Sequence, residues 1–137
     1  MPAIRLSVRT RQRCELVDVT CEIQAAVRAA GLAHGAVLVQ CPHTTAGVTV
    51  QENADPDVRH DLLLALQNLV PQEALSGRYR HAEGNSDSHV KASLIGSSAT
   101  LPVAGGDVLL GTWQAVYLCE FDGPRTRELV LAFLGGA

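Results

Sequence analysis

Three histidines stand where the chain is expected to bend or where an element begins. His43 follows Pro42, which has no N–H to give a sheet ladder, so a strand should end there. His81 and His89 fall in a polar segment that is rich in turn residues. Three neutral imidazoles with an open fourth position form a known catalytic zinc arrangement, in which bound water becomes reactive near neutral pH. The spacing alone leaves open the alternative that all three are solvated loop residues.

Charged side chains offer two further chemistries. Asp57 and Asp61 are four residues apart, so on a helix they share one face and form a possible carboxylate pair. The alternative is that Asp57 caps the helix and Asp61 is solvated. The candidates for binding an anionic group are Lys91, Arg125 and Arg127. Arginine can bind a phosphate through two parallel hydrogen bonds, and lysine acts as a point charge. Charges that keep a sheet edge soluble are the equal alternative.

The composition limits the class of protein. The 137 residues fit a single domain, 1–137, and 47 % of them are hydrophobic while 18 % are charged, as in a globular chain. The net charge of −3 gives no support for a nucleic-acid partner. No apolar run has membrane-spanning length, and the first residues lack the apolar stretch of a signal peptide. The four cysteines form no C-x-x-C pair, so we expect reduced thiols and a cytoplasmic protein.

Periodicity places these residues on a series of short elements. Alternation predicts strands within 4–19 and at 36–40, 48–51, 99–103, 108–121 and 127–134, and an apolar stripe predicts a helix from Thr20 to Gly31. The long strand should be interrupted near Gly111. Within it Glu120 shares a face with Val116 and Leu118, and a polar residue on such a face either meets a partner or lines a site.

Two more helices are predicted around the candidate site. The triplet Asp55-Pro56-Asp57 combines an Asp cap with proline at the first helical position. The buried stripe of this helix is predicted to be Val58, Leu62, Leu66 and Leu69, and Pro71 ends it. Ser88 is predicted to cap a short helix that carries His89 and Lys91 in its first turn.

Seven sequence blocks occur in a fixed order along the chain. They are PHTTA (42–46), ENADPDV (52–58), SHVKAS (88–93), GSS (96–98), LPV (101–103), GTWQ (111–114) and EFDGPR (120–125). Together they resemble the YjbQ-like family, often called secondary thiamine-phosphate synthases. The resemblance extends from about Arg5 to Gly135.

The resemblance implies a compact α+β fold with a β-sandwich-like antiparallel core and flanking helices, assembled as a homotrimer. It implies a divalent metal, with zinc expected, and His43, His81 and His89 as its ligands. The other matched polar residues are interpreted as catalytic (Asp57, Asp61, Lys91, Glu120) or substrate-binding (Thr112, Trp113, Gln114, Arg125).

The implied activity is thiamine-phosphate synthesis, which joins an aminopyrimidine pyrophosphate to a thiazole phosphate with loss of pyrophosphate. The family name points to a secondary activity. The resulting hypothesis is a metal-dependent enzyme acting on a small phosphorylated substrate. The alternatives are a homotrimer that binds a small molecule or a metal without turnover, and a trimeric scaffold whose polar residues fix subunit contacts.

Overall fold

Eight strands and three helices make up the structure, a computed structural model that describes residues 1–137. In chain order they are β1 (Ile4–Arg9), β2 (Glu15–Asp18), α1 (Thr20–Ala29), β3 (His34–Gln40), β4 (Ala46–Glu52), α2 (Pro56–Leu69), α3 (Ser86–Ile95), β5 (Ser98–Ala104), β6 (Asp107–Val108), β7 (Gln114–Glu120) and β8 (Thr126–Gly136). The long strand predicted over 108–121 is two strands, because residues 109–113 leave the sheet before β7 begins.

The strands separate into two antiparallel sheets. One has the order β1-β8-β3-β5-β6 and the other β2-β7-β4. Alternate side chains of both sheets enter one hydrophobic core, which includes Val37 and Leu131 of the larger sheet and Val116 and Leu118 of the smaller one. Helix α1 closes this core with Ile23. The predicted α+β, sandwich-like architecture is confirmed.

The outer face of the smaller sheet is covered by the other two helices. Ala115, Tyr117, Cys119 and Phe121 alternate with the core residues of β7, and all four are fully buried. Leu66 of α2 and Ala92 and Ile95 of α3 pack against them. The two faces of β7 therefore belong to different layers, as its alternation predicted.

Helix α2 begins as predicted but is less buried than predicted. Asp55 accepts a hydrogen bond from the backbone N–H of Asp57 at 2.9 Å, and Pro56 occupies the first helical position. The expected buried stripe is wrong, since no residue of α2 is buried and Leu69 is 73 % exposed. Val58, Leu62 and Leu66 are only half-buried, and Leu66 packs on the outer face of the smaller sheet.

Helix α3 begins three residues earlier than predicted. It starts at Ser86 with Asn85 as its cap residue. Ser88 lies inside the helix, and its hydroxyl donates to the carbonyl of Phe121 at 2.6 Å, which connects α3 to the end of β7. None of the three helices combines the length and the apolar character needed to cross a membrane.

Candidate functional site

A buried ion pair joins the two sheets at one end of the molecule. Glu120 ends β7, Arg127 lies at the start of β8, and their side chains are 0 % and 5 % exposed. One carboxylate oxygen of Glu120 accepts from Thr10 Oγ1 at 2.7 Å and Arg127 Nε at 2.9 Å. The other accepts from the backbone N–H groups of Phe121 and Asp122 and from Arg127 Nη2. Arg127 Nη2 also donates to Thr45 Oγ1 at 2.8 Å.

These contacts decide the charge state of Glu120. Burial alone would raise the pKa of its carboxyl, but the hydrogen bonds from Arg127 and Thr10 outweigh burial and hold the pKa below its ordinary value. Glu120 is therefore ionised at neutral pH and has no free oxygen for a ligand. Of the two options for a polar residue on that strand face, Glu120 meets a partner.

A polar cleft opens beside this ion pair. Its volume is about 330 Å³, and no Val, Leu, Ile, Met, Phe or Trp side chain lines it. Its walls come from the loop before β4, from the start of α3 and from the turn between β7 and β8. The polar residues that concern the chemistry are His43, Asn85, His89, Asp122, Arg125 and Arg127. We call this volume the histidine cleft.

His43 is held in a defined tautomer. Its Nε2 accepts a hydrogen bond from the backbone N–H of Glu128 at 2.9 Å, so the proton of the neutral ring lies on Nδ1. Burial lowers the pKa of His43, and the positive charge of Arg127 lowers it further. The imidazole is therefore neutral at pH 7 and presents an N–H donor.

Asn85 supplies the one buried side-chain oxygen or nitrogen atom that has no hydrogen-bond partner at all. Its side-chain nitrogen donates to Asp122 Oδ2 at 2.8 Å, while its Oδ1 has no partner. Arg125 makes two hydrogen bonds to the same Asp122. Its Nε donates to the backbone carbonyl at 2.7 Å, and its Nη2 donates to Oδ2 at 3.0 Å. An orphaned acceptor in a 6 % exposed residue normally has a ligand or water as its partner. Sequence reasoning missed Asn85, whose only signal is its place before α3.

The predicted metal ligands are brought to one region without forming a metal site. His43 and His89 line the cleft together, and the rings of His81 and His89 meet edge to face with centroids 5.3 Å apart. His81 Nε2 lies 3.5 Å from Glu83 Oε2. No group of three or more His, Cys, Asp or Glu side chains is arranged to hold a metal ion. Because Nε2 of His43 is engaged by Glu128, this arrangement does not fit a three-histidine metal site.

Lys91 points away from the histidine cleft. It lies two residues after His89 on α3, which places the two side chains about 200° apart around the helix axis. Its ammonium group pairs with Asp87 at 2.9 Å and lines a separate pocket between α2 and α3. Arg125, in contrast, lines the histidine cleft.

The remaining predicted residues lie elsewhere. Asp57 and Asp61 are exposed on α2, where Asp61 faces the ring of His60 at 3.0 Å. Thr112, Trp113 and Gln114 stand at the opposite end of β7 from Glu120, about 20 Å away for six extended residues. Trp113 is 62 % exposed. One chain therefore brings together only part of the predicted set.

Fold and cleft define a class: a small α+β sandwich that carries a histidine-lined polar cleft at one end. Comparison with known proteins identifies the family within this class. The family model described as "UPF0047 protein YjbQ-like" matches residues 4–136. The chain belongs to the UPF0047, or YjbQ-like, family.

Relatives of known sequence cover nearly the whole chain. The UPF0047 protein YugU of Bacillus subtilis is 45 % identical over 130 residues, which are 95 % of this chain and 97 % of the relative. A UPF0047 protein of Methanocaldococcus jannaschii is 44 % identical over 131 residues, covering 96 % and 93 %.

A solved structure shares the fold. The crystal structure of an uncharacterised YjbQ/UPF0047 protein from Clostridium acetobutylicum is 44 % identical, with a TM-score of 0.90 over 96 % of this chain and 99 % of the other. The similarity establishes the family and the fold, and these relatives' names carry no activity.

Proposed function

We propose that the chain is an enzyme that binds a small phosphorylated substrate in the histidine cleft. The observation that carries the proposal is a cleft with no hydrophobic wall that is lined together by His43, His89, Arg125 and Asn85, whose buried Oδ1 is unpaired. Such a site favours a ligand that is charged and also bears an N–H or O–H donor. Arg125 supplies the cationic partner for a phosphate group.

The residues of the cleft support proton transfer as well as binding. His43 is neutral and directs its Nδ1–H outward from the Glu128 contact, while His89 lines the same cleft. Because Nε2 of His43 already accepts a hydrogen bond from Glu128, His43 serves as a hydrogen-bond donor to the substrate, and His89 is the proposed proton-transfer residue. Thiamine-phosphate synthesis, the activity implied by the family resemblance, has a substrate of this type, since an aminopyrimidine pyrophosphate carries both an amino donor and an anionic group.

A divalent metal ion, with zinc as the expected ion, is part of the proposal. Its support is the chemistry of the available donors, which are imidazole nitrogens and an unpaired amide oxygen. Binding would require His43 to give up its hydrogen bond from Glu128 or His81 to move toward the cleft. We assign no reaction step to the metal.

A homotrimer is proposed as the working form. Helix α2 has no buried residue, and Leu38, Val130, Ala132 and Leu134 form a partly exposed face on the larger sheet. Association would cover that surface. It would also allow the Thr112–Gln114 turn of one subunit to reach the cleft of another, since within one chain they stand at opposite ends of β7.

Binding and turnover should be measured together. We expect His43→Ala, His89→Ala and Asn85→Ala to weaken phosphate-ester binding at least ten-fold by calorimetry, whereas His60→Ala, on an exposed helix face, should leave it unchanged. Incubation with an aminopyrimidine pyrophosphate and a thiazole phosphate should release pyrophosphate in the parent and less in the cleft variants. Equal binding in all four variants would refute the site.

Elemental analysis tests the metal separately. About one equivalent of metal per chain, lost in His43→Ala and His89→Ala with the oligomer intact, would support it. No metal after incubation with zinc would remove the metal from the proposal. Ligand binding without product under any condition would favour the alternative, a non-catalytic binding trimer.

A further inference from the structure

A second pocket, of about 320 Å³, opens between α2 and α3. Its apolar wall consists of Cys14, Leu63, Leu66 and Phe121. Its polar wall holds Lys91, which the geometry of α3 directs away from the histidine cleft. The volume suits a small organic molecule, and a mixed apolar and charged lining is typical of ligand sites.

The polar wall carries an excess positive charge. Asp87 is fully buried, and its carboxylate accepts hydrogen bonds from Nη2 and Nη1 of Arg13, at 3.1 and 3.2 Å, and from the Lys91 ammonium at 2.9 Å. Two cations and one anion leave a net charge of +1. Arg13 and Lys91 together give the carboxylate of Asp87 three hydrogen bonds.

Lys91 has hydrogen-bonding capacity that the chain does not use. Its side chain is only 4 % exposed, and its ammonium group makes a single hydrogen bond, to Asp87. An ammonium group has three donors, so two N–H groups have no protein acceptor in a nearly buried position. Burying donors without acceptors is unfavourable, which indicates that an acceptor from outside the chain completes the group.

We infer that this pocket binds a small monoanion with an apolar body, of the class of short-chain or aromatic carboxylates. The carboxylate pairs with Lys91 Nζ, and one negative charge balances the net +1 of the cluster. The apolar body lies between Leu63, Leu66 and Phe121. A phosphate dianion would carry more negative charge than the net +1 of the cluster and would leave the apolar wall uncovered. The site is independent of the histidine cleft and of the function proposed for it.

Cys14 provides a reporter inside the pocket. Cys41 and Cys119 are buried and Cys21 is exposed, so in a Cys21→Ser background Cys14 is the accessible thiol. The rate of its alkylation by iodoacetamide, measured by mass spectrometry on the full chain, should fall at least ten-fold in saturating hexanoate. Inorganic phosphate at equal ionic strength should leave the rate unchanged.

Three variants define the site. Lys91→Met removes the charge at nearly constant shape and should abolish protection by hexanoate. Leu63→Phe fills the apolar wall, leaves the Arg13–Asp87–Lys91 cluster intact, and should also abolish protection; it decides the question if Lys91→Met does not fold. His43→Ala should retain full protection, which separates this pocket from the histidine cleft.

Four results would overturn the inference. They are absence of protection in the parent, protection that persists in Lys91→Met or Leu63→Phe, equal protection by phosphate, and protection that rises with protein concentration without hexanoate. The last would show that a second copy of the chain fills the pocket.

Discussion

Replacing Glu120 by glutamine tests the buried ion pair that joins the two sheets. Both carboxylate oxygens accept N–H donors, so the amide NH₂ of a glutamine would face a donor in either orientation. Arg127, 5 % exposed, would keep its charge without a counterion. Breaking a buried ion pair on one side costs about 3–5 kcal/mol. A domain of this size has a total unfolding free energy of about 5–15 kcal/mol, so the loss is a large fraction.

The assay is urea unfolding at a fixed protomer concentration, because any oligomer makes the midpoint depend on concentration. With an m-value of about 2 kcal/mol per molar urea, the midpoint of Glu120→Gln should fall by about 2 M. Glu128→Gln is the matched control. Its exposed pair with Arg5, in which the two side chains are 48 % and 65 % exposed, should contribute at most about 1 kcal/mol.

The outcome that refutes the reasoning is equality of the two variants. If Glu120→Gln unfolds within about 1 kcal/mol of Glu128→Gln, the buried pair does not hold the sheets together, whatever its geometry. A change in m-value instead of the midpoint would show that the variant altered the compactness of one state, and the free-energy comparison would then not apply.

Three further predictions concern pH, thiol chemistry and backbone packing. Burial and the positive charge of Arg127 lower the pKa of His43. The stability that the neutral ring contributes is therefore fully present above the unfolded pKa of about 6.5 and is lost as pH falls toward the folded pKa. NMR titration of the ring should place its pKa below that of a free histidine. Burial raises the pKa of Cys119 to about 12, so at pH 8 iodoacetamide should modify Cys21 and leave Cys119 intact until the protein unfolds. At Gly35, where φ is 143°, an added Cβ would meet the carbonyl oxygen of Leu134 at 1.8 Å. Gly35→Ala should therefore lower the stability of the fold by about 1–3 kcal/mol in thermal melts. Gly136→Ala is the control and should not lower it, because the space around Gly136 is open.

Local patterning predicted the elements more completely than their surroundings. Alternation in β7 placed Val116 and Leu118 on one face and Tyr117 and Phe121 on the other, and the two faces indeed belong to different layers. The Asp-Pro-Asp start of α2 follows from capping and proline geometry alone. The depth of burial of α2 depends on how much sheet lies beneath it, and no periodicity contains that information.

The candidate site shows the same division. Arg127 lies in register with the buried Leu129 and Leu131 of β8, a signal that could have marked it as a core-facing charge in need of a partner. The separation of Lys91 from His89 follows from helix geometry once both lie on α3. The missing partner of Asn85 Oδ1 depends on the packing of three separate segments. The sequence around a single loop residue does not predict it.

The ion pair that stabilises the fold also sets the electrostatics of the histidine cleft. Glu120 fixes Arg127 between the two sheets, and Arg127 in turn lowers the pKa of His43. The negative charge of Glu120 itself raises the pKa of His43, so Glu120→Gln removes that effect and leaves the uncompensated guanidinium of Arg127 near the ring. The pKa of His43 should therefore change in Glu120→Gln even at temperatures where the variant stays folded. If the core and the site were independent, the pKa would not change. Stability and site chemistry are thus coupled through the Glu120–Arg127 pair, since both of its charges act on His43.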